Sequence, residues 1–188
     1  QGYPQPYATL LRWWEAVMIR CAAPHHIFFL TETARRRYCA AMPARALRRH
    51  RLHVLENCSD LDPLPAKDLN DTEPRVLVMT GRASHQKNLP AALRLFAHLP
   101  ENYRLVLCGA GTDRPAFQAV LDRMLDKGQQ ARVDLRGPMP DVRPVLAAAA
   151  GYLLTSRYEG VPIGAIEAWE AGLPLALSRI DGTADILM

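Results

Sequence analysis

Two glutamates eight positions apart, Glu159 and Glu167, flank a Val-Pro-Ile-Gly turn in SRYEGVPIGAIEAWEAGLP, residues 156–174. A proline in the first turn of a helix loses nothing, because the N–H it lacks would go unpaired there anyway. With Pro162 in that turn, Ile163, Gly164 and Ala165 would present free amides to an anion, and Gly164 is small enough for close contact. Glu167, about one turn further in, could accept from two vicinal hydroxyls, as ribose recognition requires. Glu159, ahead of the turn, would stand near the far end of such a ligand. The plain alternative is an amphipathic helix entrance with two exposed acids, and the residues alone leave both readings open.

Two other stretches have the residue types for phosphate. In GRASHQKN, 81–88, Gly81 closes an apolar run, Arg82 follows, and Lys87 and Asn88 open a helical pattern. Gly81 lets backbone amides approach a ligand. Arg82 and Lys87 would each add a charge-assisted hydrogen bond of about 1.5–3 kcal/mol, which suits a diphosphate. A solvated loop with two routine cations is the competing reading. GAGTD places Gly109 and Gly111 between a strand and a helix, but Arg114 stands where a dinucleotide fingerprint needs its third glycine. A tight strand-to-helix turn explains it as well. Cys21, His25, His26 and Cys39 match no zinc-ligand spacing, so no metal is expected.

Hydrophobic periodicity gives the elements that would hold these residues. Compact apolar runs over RVLVMTG (75–81), YRLVLCGAG, ARVDLRG, AGYLLTS and LPLALS read as buried strands. Between them lie helical patterns: KNLPAALRLFAHLP, with Leu89, Ala92, Leu93 and Phe96 on one face, then DRPAFQAVLDRMLDKG, DVRPVLAAA and PIGAIEAWEAG. For the second of these, Asp113 is the expected N-cap, Pro115 lies in the first turn and Gly128 lies past the end. GTADILM opens a further helix. Strands alternating with helices predict right-handed βαβ units and an α/β fold with a parallel sheet covered on both faces. Ligands of such sheets bind beyond the carboxyl ends of the strands. Gly81-Arg82, Gly109-Ala110-Gly111, Gly137-Pro138 and Ser156 to Glu159 would all open onto that edge.

Residues 1–60 use the same alphabet without completing a domain: a helix, the strand HHIFFLTE, the helix TARRRYCAAM and the strand RLHVLEN. A Pro-, Asp- and Asn-rich tract follows, giving a division into residues 1–60, a linker over 61–74, and residues 75–188. The net charge of +4 is uneven. Nine arginines against Glu15, Glu32, Glu56 and Asp60 give residues 1–60 a charge of +5. The stretch RRRYCAAMPARALRRHR could face anionic lipid, or be a solvated helical face; with no aromatic-interleaved groove, nucleic acid is not expected as a partner. Trp13 and Trp14 are expected to fill one core and one interface position.

The 188 residues include no run near the roughly 18 apolar positions of a membrane-spanning helix. The first residues lack the regions of a signal peptide, and four dispersed cysteines suit free thiols in a reducing cytoplasm. Without an initiator Met, the chain is expected to be a piece of a longer protein.

SRYEGVPIGAIEAWEAGLPLALSRIDGTADI closely resembles the E-x7-E region of family 4 type retaining glycosyltransferases of the GT-B fold. GRASHQKN resembles their donor loop G-R-x-x-x-x-K-N, LVLCGAG their L-x-I-x-G-x-G, and VDLRGPMPDVRPVLAAA their V-x-F-x-G loop and helix. RLHVLENCSDLDPLP is similar to the segment joining their two domains. The resemblance runs in family order from about residue 25 to the end. It implies residues 75–188 as a nucleotide-sugar (donor) domain and residues 1–60 as the tail of an acceptor domain. It also implies transfer of a sugar from a nucleotide-diphosphate donor to a saccharide or lipid-linked acceptor with retention, in bacterial cell-surface polysaccharide or glycolipid synthesis. The protein would be cytoplasmic, with peripheral membrane contact through the Arg-rich part.

By this resemblance Arg82 and Lys87 would hold the diphosphate in place of a metal, with Gly81, Asn88, Gly109 and Gly111 around it. Glu167 would bind ribose, the amides near Ile163 and Gly164 the phosphate, and Glu159, beside Gly160 and Pro162, the transferred sugar. The loop from Gly137 to Met139 would lie by the base. No cofactor is implied. A 2-epimerase of the same fold and a non-catalytic nucleotide-sugar module are the alternatives. The sequence departs from the family pattern at Ala150-Gly151, at Asp185 and at Asn57-Cys58-Ser59-Asp60.

Overall fold

In a computed structural model, residues 5–59 and 73–184 are described. Most of the expected linker, residues 60–72, lies outside them, as does Asp185. The chain divides into two compact units, Gln1–Asn57 and Cys58–Met188.

The first unit holds α1 (Gln5–Cys21), β1 (His26–Phe29), α2 (Glu32–Ala41), α3 (Ala44–Leu47) and β2 (Arg51–Val54). β1 and β2 pair in parallel, His26 against Arg51 through Phe29 against Val54. Thr31 caps α2 by accepting from the Ala34 amide at 3.0 Å, the usual remedy for an orphan donor at a helix start. The arginine run is partly neutralised from within: Glu32 takes Arg35 at 2.6 Å and Arg36 at 3.0 Å on one helix face. The Arg35 bond, with help from that of Arg36 and the charges of both, overcomes the opposing desolvation and holds the Glu32 carboxyl down to about 2. Trp13 and Trp14 are both exposed, contrary to the expectation of one core position, because α1 turns Leu10, Leu11 and Met18 outward with them.

The second unit is built on β3 (Arg75–Thr80), α4 (Leu89–Phe96), β4 (Tyr103–Cys108), α5 (Pro115–Met124), α6 (Lys127–Gln130), β5 (Val133–Gly137), α7 (Arg143–Ala148), β6 (Gly151–Leu154), α8 (Ile163–Glu170), β7 (Leu175–Leu177) and α9 (Asp181–Ala184). The five strands are all parallel, in the order β5-β4-β3-β6-β7. The α/β fold class read from the sequence is therefore present, a parallel sheet with helices on both faces. Strands covered on both faces must be apolar along their length. β6 is buried at every position and β4 at its last four. Leu89, Ala92, Leu93 and Phe96, the expected face of α4, are the buried residues of that helix.

Local chemistry corrects three expectations. Arg114, not Asp113, occupies the N-cap of α5. Gly128 does not end that helix: Leu125 adopts an extended backbone, and Asp126 starts α6 with a capping box to Gln129, placing Gly128 inside it. Pro162 is the N-cap of α8 rather than a residue of its first turn. The short α3 was not anticipated.

The centre of the sheet carries the stability of this unit. Leu93 is fully buried between α4 and the strands, so Leu93→Ala should cost about 2–5 kcal/mol. Urea unfolding would show it as a lowered midpoint with an unchanged slope.

Candidate functional site at the carboxyl edge of the sheet

The order β5-β4-β3-β6-β7 reverses direction between β3 and β6. Chain leaving β3 turns one way and chain leaving β6 the other, so a crevice must open between their carboxyl ends. The loops that follow these two strands, Gly81–Asn88 and Thr155–Pro162, contain most of the residues singled out from the sequence.

Across the crevice Lys87 Nζ meets Glu159 Oε1 at 2.7 Å, with side chains only 20% and 7% exposed. Ser156 donates its hydroxyl to the same oxygen at 2.7 Å. Gln86 donates its amide to Oε2 at 3.0 Å and to the Tyr158 carbonyl at 3.1 Å. The backbones are joined as well, Arg157 N–H to the Gln86 carbonyl at 2.8 Å. Asn88 holds a left-handed conformation at the N-cap of α4, one that asparagine tolerates better than most residues. Its amide donates to the Thr155 carbonyl at 3.2 Å, and its side-chain oxygen accepts from Arg157 at 3.3 Å. Asn88 thus links the two loops.

The neighbouring loops are tied in the same manner. The amides of Gly81 and Ala83 donate to Cys108 and Ala110, and Gly109 N–H donates to the Gly137 carbonyl at 2.6 Å. A Cβ on Gly109, whose φ is +144°, would collide with the Gly81 carbonyl, so two backbones meet where no side chain fits. Thr112 is buried and accepts from the Gly137 amide at 3.0 Å while donating to Gly109 O. An irregularity between Leu107 and Cys108 pairs Cys108 with Gly137, leaving Arg136 as an extra residue that re-aims the 137–139 loop. Met139 packs half-buried against the core. Arg82 is exposed and lines a cavity of about 520 Å³ together with Ala110, Gly111 and Arg114. Lys87 is not part of that lining, its stem lying instead against Gly81.

α8 follows the loop that carries Glu159. The Ala165 amide donates to the Pro162 carbonyl at 3.0 Å, which corrects the expectation that it is free. The Ile163 and Gly164 amides take no backbone partner among the described residues. A Cβ on Gly164 would collide with Thr80 Oγ1 and lie 2.6 Å from the Tyr152 hydroxyl. Glycine is required there by the close approach of α8 to the sheet. Glu167 is half-buried on the same helix. Tyr152, buried in β6, shares a 2.8 Å hydrogen bond with Thr80. Desolvation pushes its phenol up to about 12, and the nearby charges of Glu167 and Glu159 add to the rise. Both glutamates of the eight-residue pair therefore lie around one buried tyrosine.

Three residues were missed in the sequence. Gln86 lay unassigned inside GRASHQKN, and Thr112 behind the glycines of GAGTD. Gly182 packs its Cα against the Glu159 and Gly160 carbonyls; its signal was the glycine of GTADI. Among the described residues no group of three His, Cys, Asp or Glu is placed to hold a metal, and no helix is long and apolar enough to cross a membrane. The four cysteines are free. His26 and His53 instead pair with each other, ring nitrogens 2.7 Å apart.

The family model for "Glycosyl transferases group 1" matches residues 62–188. The chain belongs to this glycosyl transferases group 1 family. Lipopolysaccharide core biosynthesis glycosyltransferase LpsE of Rhizobium meliloti (strain 1021) is 30% identical over 107 residues, 57% of this chain and 30% of that protein. The fold is similar to WaaG, a glycosyltransferase involved in lipopolysaccharide biosynthesis (TM-score 0.66, 21% identity, 85% of this chain and 46% of that one). It is also similar to Anabaena Alr3699/HepE in complex with UDP-glucose (TM-score 0.72, 16% identity, 99% and 53%). The chain thus spans from about a third to about half of these relatives.

The sign of the Tyr152 effect is fixed by its direction. Below pH 10 the phenol is protonated in folded and unfolded chains alike, and its contribution is complete. Between pH 10 and about 12 only the unfolded chain ionises, so stability falls as pH rises. Tyr152→Phe should cost about 1 kcal/mol near neutrality through the lost Thr80 bond. That deficit should shrink above pH 10 when urea midpoints of the two proteins are compared.

Proposed function

We propose that this chain is the donor-binding half of a retaining, family 4 type glycosyltransferase that uses a nucleotide-diphosphate sugar and acts in bacterial cell-surface polysaccharide or lipopolysaccharide synthesis. The observation that carries the reading is the meeting of Lys87 and Glu159 across the switch between β3 and β6, with α8 starting at Ile163 just beyond the Glu159 loop. A cation on one loop, and on the other a helix start whose Ile163 and Gly164 amides take no backbone partner among the described residues, suit a diphosphate. Glu167, a turn inside the same helix, suits the ribose hydroxyls. Glu159 suits the sugar beyond the phosphates, Arg82 a second phosphate contact, and the Gly137–Met139 loop the base. Anabaena HepE, a structure of this fold, is in complex with UDP-glucose, which supports UDP-sugars as the first donors to try. The acceptor would be a saccharide or a lipid-linked glycan, and the site is proposed to work without metal or cofactor.

Chemically, breaking the bond between sugar and diphosphate leaves negative charge on the leaving phosphate. Lys87, Arg82 and the Ile163 and Gly164 amides would supply the positive charges and N–H dipoles that stabilise it. Glu167→Ala is the cleaner test, because it leaves the Lys87–Glu159 pair intact. Donor affinity measured by calorimetry with UDP-, GDP- and ADP-sugars should fall at least tenfold in Glu167→Ala and in Lys87→Ala, and transfer by the complete protein should fall with it. Unchanged affinity and turnover in both variants would sink the reading.

A further inference from the structure

Glu159 faces two demands if the carboxyl edge holds a nucleotide sugar, the reading on which this inference rests. In the ligand-free protein its carboxylate neutralises Lys87 at 2.7 Å. Once Lys87 turns to a donor phosphate, that carboxylate, with its side chain 7% exposed, loses its counter-ion while still nearly buried. An unpaired buried charge is costly and tends to move toward water. Two donors remain to hold it. Ser156 keeps Oε1 at 2.7 Å and Gln86 keeps Oε2 at 3.0 Å. Gln86 is itself well anchored, since its amide also donates to the Tyr158 carbonyl and its own carbonyl accepts from the Arg157 amide.

We propose that Gln86 is a positioning residue for the sugar end of the donor: with Ser156 it fixes the Glu159 carboxylate, so that Lys87 can exchange that carboxylate for a phosphate while Glu159 stays in place for the sugar hydroxyls. The pair is then an exchangeable latch, and the glutamine and serine are what keep its acidic half still. Lys87 and Glu159 contact ligand; Gln86 acts only through Glu159. A merely structural role for Gln86 would disturb the whole loop and weaken all ligands alike.

The experiment compares wild type, Gln86→Met and Ser156→Ala for binding of UDP against UDP-glucose, GDP against GDP-mannose, and ADP against ADP-glucose, by calorimetry or NMR titration. For whichever base binds, each substitution should leave the nucleoside diphosphate within about twofold and weaken the nucleotide sugar about tenfold, as loss of one hydrogen bond to a charged group would. Equal losses on both ligands, or none on either, overturn the positioning role and leave the donor site standing. Failure of wild type to bind any of the six overturns the donor site and the proposal together. A second measurement needs neither donor nor a Gln86 variant. The chain has three lysines, 67, 87 and 127, so amine acylation read by peptide mass can follow Lys87 against exposed Lys127. Glu159→Gln should speed acylation of Lys87 several-fold; an unchanged rate means that the latch is not closed in solution, and overturns the proposal.

Discussion

The reversal of strand order between β3 and β6 is the constraint on which the rest of this molecule depends. Two adjacent parallel strands whose following segments depart to opposite faces leave their carboxyl ends uncovered. The loops there have no helix above them and must satisfy their own backbone. They do so by binding each other: Gln86 to Tyr158 and Glu159, Asn88 to Thr155, Arg157 to Gln86, Lys87 to Glu159. What is a gap in the covering of the sheet is filled by charge and hydrogen bonds instead of apolar side chains, and such a gap suits a polar, anionic ligand.

Small residues set how closely these loops approach. Gly109 against the Gly81 carbonyl, Gly164 against Thr80 and Tyr152, and Gly182 against the Glu159–Gly160 backbone each mark a point where a single methyl group would push two elements apart. Of these, Gly109 also needs a φ that side-chain-bearing residues avoid. Together with the buried Thr112 hydroxyl, they tie β3, β4, β5 and β6 into one edge, so the polar groups of the site rest on strands and helix termini rather than on free loops. Sites supported in this manner hold their geometry before a ligand arrives.

Much of this was legible in the sequence because the signals are local. Apolar runs closed by glycine gave the strands, and Leu89, Ala92, Leu93 and Phe96 gave α4 with its buried face. Parallel topology then placed Gly81, Gly109, Gly137 and Glu159 on one edge. The misses are of two physical kinds. One helix end turned on cap chemistry, since Asp126 with Gln129 makes a better start than Gly128 makes an end; α5 begins one residue later than expected, with Arg114 at a cap position where its side chain makes no capping bond. Contacts between distant loops left no pattern at all. Nothing in the spacing of Lys87 and Glu159 says that they form an ion pair, and Gln86 carries no signature, since its role exists only once Tyr158 and Glu159 are beside it. The exposed Trp13 and Trp14 show the reverse case, in which apolar residue type alone does not say what a side chain packs against.

The lacing of the carboxyl edge also bears on the order in which the chain folds. Gln86 and Tyr158 lie 72 residues apart in sequence, and the segment between them contains β4 and β5 with their helices. Closing so long a loop early would cost entropy with little return, since contacts of high sequence separation are rewarded only after the intervening pairs have formed. β3 pairs with β4 on one side and with β6 on the other, and it is the β6 pairing that brings the two loops together. Until then Lys87 has no carboxylate, Glu159 has no cation, and the crevice does not exist. The ion pair can form only where β6 lies beside β3, so it marks that one long-range pairing and the crevice that comes with it.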